Sequence, residues 1–251
     1  MSDHAVLVPT SLGPMGGIVS EPGGPRRATL MFLQGGATVG LRSGTNAIWT
    51  RIARALAELG VTVLRTDNSC KGESSAVRVE ATRGGARGAT ARHDVVLLGE
   101  VASWFRERTG SQELFVAGNC YGARLAIHLA ARDPAISRLF LSVPFLRAPN
   151  PRGAVLRRVL RMSGSDRLDP AAVNDMRSVL RRAPVTAMVG ENDVDDVFRL
   201  RDALGPDAAR LELTVVPDVA LHPPRTTRIQ EEILQRTVGW LSATLVERSP
   251  A

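Results

Sequence analysis

The chain has 251 residues, 44% of them apolar, with 23 Gly and 15 Pro, an ordinary globular composition able to bury a real core. No apolar run approaches the roughly 18 to 20 residues of a membrane helix, and Met1-Ser-Asp-His lacks the basic-then-apolar build of a signal peptide, so a cytoplasmic protein with no membrane partner is expected. The charge of +7 comes almost wholly from Arg, since Lys71 is the single lysine among 32 basic residues, and with 4% aromatics and no basic helix carrying interleaved aromatics a nucleic-acid partner is not expected.

In chain order, Ala5 to Pro9 and Gly17 to Ser20, on either side of Gly13-Pro14, read as a hairpin, and the apolar run Ala28 to Leu33 reads as a buried strand that ends at Gly35-Gly36. Ile48, Ile52, Leu56 and Leu59 keep a helical spacing closed by Gly60, and Val61 to Leu64 is the next strand. Val95 to Phe105 is helical, Leu114 to Ala117 a strand, Ala123 to Ala131 a helix and Leu139 to Val143 a strand. After Pro144 the rhythm breaks, with helices predicted at Val155 to Met162 and Ala171 to Leu180 and no strand between them, and 147–182 is expected to form a small helical cap. Its nine arginines and three aspartates give that segment a charge of +6. The alternation resumes with the strand Val185 to Val189, a helix near Val197 to Leu204, the strand Leu211 to Val216 and an amphipathic helix from Ile229 to Leu245. Strands that alternate with helices imply a mostly parallel α/β sheet flanked by helices, here in one domain over 1–251.

The chemistry centres on Gly118-Asn119-Cys120-Tyr121-Gly122, which lies between a strand and a helix and fits the nucleophile elbow G-x-C-x-G, with Cys in place of Ser. A side chain perched on so sharp a turn needs glycine two positions before and after it, where neighbouring backbone passes close. The helix N-terminus is expected to favour thiolate, lowering the cysteine from about 8.5 toward roughly 3.5 to 7.5. The other cysteine, Cys70, is read as a small filler, and two cysteines are too few for a disulfide scaffold or a metal site built on Cys pairs, so no cofactor is expected.

A base must be one of four histidines. His4 precedes the first strand, His128 lies two turns along the helix that begins at the elbow, and His93 sits beside Asp94 at a helix start, a capping or surface position. His222 follows the last strand in a loop on the elbow's side of the sheet and is the expected base. The orienting acid is sought in the loop after Val189, with Asp193 as first choice and Asp195 and Asp196 as alternatives that could instead cap the next helix. The expected oxyanion donors are the backbone N–H groups of Tyr121 and Gly36.

With strand, Gly-Gly loop, elbow, acidic loop and late histidine in this order, the sequence resembles the α/β-hydrolase fold superfamily over nearly its whole length. Arg65 to Ser74 is similar to the R-x-D-x-x-G-x-G-x-S loop of its esterase-like members, with Cys70 in place of the first Gly. Gln34 stands where many members have His, and Val77 to Arg92 is long and Arg-rich. A cysteine elbow is similar to those of dienelactone hydrolases, polyester synthases and some cyclising or chain-releasing enzymes. The resemblance implies hydrolysis of a small-molecule ester or thioester through a Cys120 acyl-enzyme. Acyl transfer or ring closure is the alternative, and a catalytically inactive binding module a further one. If the cap covers the cleft as in such proteins, its charge and that of Arg78, Arg83, Arg87 and Arg92 would suit an anionic acyl substrate or an acidic acyl carrier protein.

Overall fold

The computed structural model describes residues 1–35, 47–67, 87–144, 146, 168–193, 195–219, 221 and 226–247. Eight strands among them form one sheet: β1 Ser2–Val8, β2 Met15–Glu21, β3 Ala28–Leu33, β4 Val61–Thr66, β5 Leu114–Asn119, β6 Ile136–Ser142, β7 Val185–Gly190 and β8 Leu211–Val216. Their order across the sheet is β1-β2-β4-β3-β5-β6-β7-β8. The first hairpin turns at Gly13, whose φ of 115° suits glycine, and β2 then pairs antiparallel with β4. From β4 onward every pairing is parallel. This is the mostly parallel α/β sheet expected from the alternating pattern.

The six helices described are α1 Ile48–Glu58, α2 Arg87–Thr109, α3 Tyr121–Arg132, α4 Pro170–Leu180, α5 Asp195–Leu204 and α6 Thr227–Glu247. They cover both faces of the sheet, and the central strands β4, β5 and β7 are accordingly buried along their whole length. Successive side chains alternate between the two layers. In β3, Met31 and Leu33 join the core made with α2, α3 and α4, while Leu30 and Phe32 join the core made with α1 and α6. Among the described residues no helix is long and apolar enough to cross a membrane.

Two boundaries differ from the sequence reading. The helix expected from Val95 begins earlier, at Arg87, inside the Arg-rich segment. The second of the two helices expected in a cap is α4, and it buries Ala172, Val173, Met176 and Val179 in the core shared with α3. It crosses over from β6 to β7 as the other helices cross between parallel strands, because its apolar stripe finds α3 beside the sheet. Val155 to Met162, Cys70, Gly36 and His222 lie outside the described residues.

The strand order has one consequence for the site. The chain leaves β3 for β4 on one side and returns to β5 on the other, so the connections diverge between β3 and β5 and open a crevice at their carboxyl ends. The segments at that point are Gln34-Gly35 and Asn119-Cys120.

Phe105 of α2 is fully buried in the core that α2 shares with α3, and its removal tests how far this layer carries the fold. Phe105→Ala is expected to lower the unfolding free energy by about 3–5 kcal/mol, measured by urea denaturation with an unchanged m-value.

Candidate active site

β5 is extended through Asn119, and Cys120 then takes φ 52° and ψ −116°, a backbone conformation a side chain rarely adopts. From Tyr121 the chain is already helical. The turn is held by hydrogen bonds on both sides: Cys120 N–H donates to Ser142 O at 3.0 Å, prolonging the β5–β6 ladder, and Ala123 N–H donates to Cys120 O at 3.2 Å. Both flanking glycines are required by space. A Cβ at Gly122 would stand 2.2 Å from Leu33 O and 2.6 Å from Gln34 O, and one at Gly118 would stand 2.6 Å from the Ala123 Cα. The first turn of α3 is thereby pressed onto the end of β3.

The loop leaving β3 lies over the elbow. A Cβ on Gly35 would be 3.3 Å from the Cys120 Cβ and 3.6 Å from Asn119 Oδ1. Asn119 in turn donates from Nδ2 to Ser142 Oγ at 3.4 Å, so buried polar groups join the ends of β5 and β6 beneath the nucleophile position. Gly36 follows directly, outside the described residues. The first expected oxyanion donor, the Tyr121 N–H, acts on the cysteine sulfur as a hydrogen-bond donor.

Cys120 is half-buried, and the electrostatics differ from the sequence reading. Burial pushes its thiol above the ordinary value, and the hydrogen bond from Tyr121 N–H pulls back by less. Loss of water outweighs that hydrogen bond, so the thiolate forms less readily than in a free cysteine, against the expectation from the helix N-terminus.

Asp193 ends a one-turn 3-10 helix, Glu191–Asp193, that follows β7. Its Oδ2 accepts the backbone N–H of Leu221, the residue before His222. The same two loops are joined twice more: Asn192 N–H donates to Val219 O at 3.1 Å, and Asp218 N–H donates to Glu191 Oε2 at 2.9 Å. Gly190 allows the approach, since a Cβ there would lie 2.3 Å from Val219 O. The acidic loop and the chain leading into His222 are thus one hydrogen-bonded unit. Leu221 is fully buried, which fixes the point from which His222 departs. The side chains of Asp195, Asp196 and His93 lie outside the described residues.

His128 is nearly buried in the seam between α3 and α4, with Nδ1 2.6 Å from Asp175 Oδ2 and Nε2 accepting from Arg124 Nε at 3.5 Å. His4 is exposed at the sheet edge near Ser2 and Glu21. Neither joins the elbow. Among the described residues no group of His, Cys, Asp and Glu is arranged to hold a metal ion. An open groove of about 900 Å³ lies elsewhere, between the β1–β2 turn and α2, lined by Thr10, Val96, Glu100 and Trp104 among others. Its volume carries no argument for chemistry, because the nucleophile candidate is not among its walls.

Two residues beside the elbow escape sequence reading. Asp94 is buried on α2 and accepts the Tyr121 hydroxyl at 3.3 Å, and Arg124 is buried one turn along α3 and pairs with Asp169, which caps α4. Asp94 and Arg124 are charged residues inside helical patterns, where the ordinary expectation is a solvated face. Only their positions relative to the elbow, Arg124 four residues after Cys120, carry any signal.

Residues 28–175 match the model of a family described as alpha/beta hydrolase fold. No protein of curated function matches the chain. Among solved structures the chain is similar to an α/β serine hydrolase without a lid from Xanthomonas campestris, at 22% identity and a TM-score of 0.64 over 99% of this chain and 96% of that one. It is also similar to a dienelactone hydrolase from Anabaena variabilis, at 16% identity and a TM-score of 0.69 over 96% and 97%. An esterase from Pyrobaculum calidifontis matches at 18% identity and 0.64 over 97% and 85%. At these identities the likeness is one of fold.

The contacts of the glycines give an internally controlled prediction. Gly122→Ala sets a Cβ against unyielding backbone and is expected to lower the unfolding free energy by about 3 kcal/mol or more. Gly239→Ala, in the exposed interior of α6 with open space around it, is expected to raise it by about 0.5–1 kcal/mol. Urea denaturation of the two variants beside the wild type checks both signs.

Proposed function

Because the chain belongs to the α/β-hydrolase fold family, we propose that it hydrolyses an ester or thioester through a cysteinyl acyl-enzyme, with Cys120 as nucleophile, His222 as general base and then acid, and Asp193 as the carboxylate that orients His222. The observation that carries this reading is the backbone of Cys120. A non-glycine residue at φ 52° and ψ −116°, where the strand stops and the helix starts, is the strained backbone of a nucleophile elbow, and it stands at the carboxyl ends of β3 and β5 where the connections diverge.

The chemistry follows from the groups at hand. The thiol, held protonated by burial, passes its proton to the imidazole as sulfur attacks the acyl carbon. The carbonyl oxygen, now negative, accepts from Tyr121 N–H and from the backbone of the loop after β3. Collapse breaks the bond to the leaving alkoxide or thiolate, which takes the proton from imidazolium and leaves a thioester on Cys120. Water, giving a proton to His222, attacks that thioester, and collapse returns the free acid and the thiol. Asp193 accepts from Leu221 N–H through Oδ2, which ties the acidic loop to the chain directly before His222 and is the reason for assigning it as the orienting carboxylate.

The thiol itself favours a second reading, acyl transfer or ring closure, because a thioester intermediate passes its acyl group to amines and other nucleophiles as well as to water. A carrier-bound or anionic acyl chain would suit the arginines of 147–182.

Intact-mass spectrometry after brief exposure to short acyl thioesters and aryl esters tests the reading. The wild type is expected to gain one acyl mass that Cys120→Ala never gains, and added amine acceptors then separate transfer from hydrolysis. Absence of adduct and turnover would sink the catalytic reading in favour of a binding module. His222→Ala is expected to lower kcat by roughly 10²–10⁴. In that variant, alkylation of Cys120 by iodoacetamide should rise with pH through a midpoint above the ordinary thiol value, since burial disfavours the thiolate and no base compensates.

A further inference from the structure

Resting on the reading of Cys120 as nucleophile, we infer that Asp94 is a positioning residue: by accepting the hydroxyl of Tyr121 it fixes the peptide between Cys120 and Tyr121, and so aims the Tyr121 N–H at the sulfur and at the oxyanion formed on it. One end of that peptide, Cys120 O, accepts the Ala123 N–H, and Cys120 N–H donates to Ser142 O. The direction of the Tyr121 N–H depends on ψ of Cys120, which stands at −116° in an unfavourable region and relaxes unless its surroundings over-determine it. The Tyr121 side chain is a second hold on that rotation, because it leaves the Cα that directly follows the N–H and its far end is anchored.

The anchor is a buried one. Asp94 is 4% exposed on α2, and its Oδ2 accepts the Tyr121 hydroxyl at 3.3 Å while the ring packs against the core of α2 and α3. Burial and the Asp94 charge hold the phenol far above its ordinary range, and nearby Arg124 lowers it by less. The hydroxyl therefore remains a donor at every working pH. Arg124, itself 6% exposed, ties the same turn of α3 to Asp169 at the start of α4. The first turn after the nucleophile is thus held to α2 on one flank and to α4 on the other.

Tyr121→Phe, Asp94→Leu and Asp94→Asn test the inference by two readouts, the pH profile of Cys120 alkylation by iodoacetamide and the separation of kcat from KM on an aryl ester. Tyr121→Phe keeps the ring and removes only the anchored hydroxyl. A donor less well aimed stabilises the thiolate less, so Tyr121→Phe and Asp94→Leu are expected to move the alkylation profile to higher pH by about half a unit or more. They should lower kcat on the order of tenfold while KM stays within about twofold. Asp94→Asn, whose amide oxygen still accepts the hydroxyl, should stay near the wild type, and the Tyr121→Phe/Asp94→Leu double variant should be no worse than either single one. An unchanged alkylation profile in Tyr121→Phe overturns the inference whatever happens to turnover or thermal stability. A wild type that turns over no ester or thioester, with the alkylation shift still present, overturns the proposed function and supports the anchor.

Discussion

The close approach of Gly122 to the carbonyls of Leu33 and Gln34 is the contact on which the rest of the site depends. It presses the start of α3 onto the end of β3, and so brings the elbow to the point where the connections of the sheet diverge. With any side chain there, α3 would stand off the sheet and Cys120 would lose its place above the crevice. The same contact brings the Gly35 backbone close to Cys120. One missing Cβ therefore sets the elbow against the end of β3, where the proposed function needs its nucleophile.

Electrostatics complete what sterics begin, in the opposite sense to a simple helix-terminus argument. The half-buried thiol is harder to ionise than a free one, and the Tyr121 N–H offsets only part of that. Under the proposed function such a sulfur stays unreactive toward chance electrophiles until a base is engaged. The bonds between the Glu191–Asp193 turn and residues 218–221 brace the chain just before His222, the base of that proposal.

Much of this was legible in the sequence because it rests on local signals. The alternating apolar runs gave the strands, Gly60 with its positive φ closed α1, and the two glycines around Cys120 marked a turn that only small neighbours permit. What was not legible is non-local. Nothing in Met15–Glu21 says that it pairs with β4 ahead of β3, because strand order is decided by crossovers and not by any residue in the strand. The helical pattern of Ala171 to Leu180 was correct, but its placement required knowing that the buried face of α4 meets α3. Asp94 carried no signal of its own, since a carboxylate in a helix shows its burial only once the tyrosine that faces it is in place. The thiol failed for a related reason, as helix-terminus effects are read from sequence and desolvation is not.

The parallel pairing of β3 with β5 has a kinetic side. Leu30 meets Phe115, and Leu33 meets Gly118, so the two walls of the crevice are joined across a long stretch of chain that contains α1, β4 and α2. Ordering such a loop is entropically slow to be repaid, and contacts of this sequence separation form late in folding. The local pieces, the hairpin and the individual helices, can form early without placing the sulfur anywhere in particular. Until β3 docks against β5, Gly122 has no carbonyls to lie against, and Cys120 is free to relax from its strained backbone. The strained geometry of Cys120 is then a product of closing the sheet, so a partly folded chain holds a cysteine with an ordinary backbone.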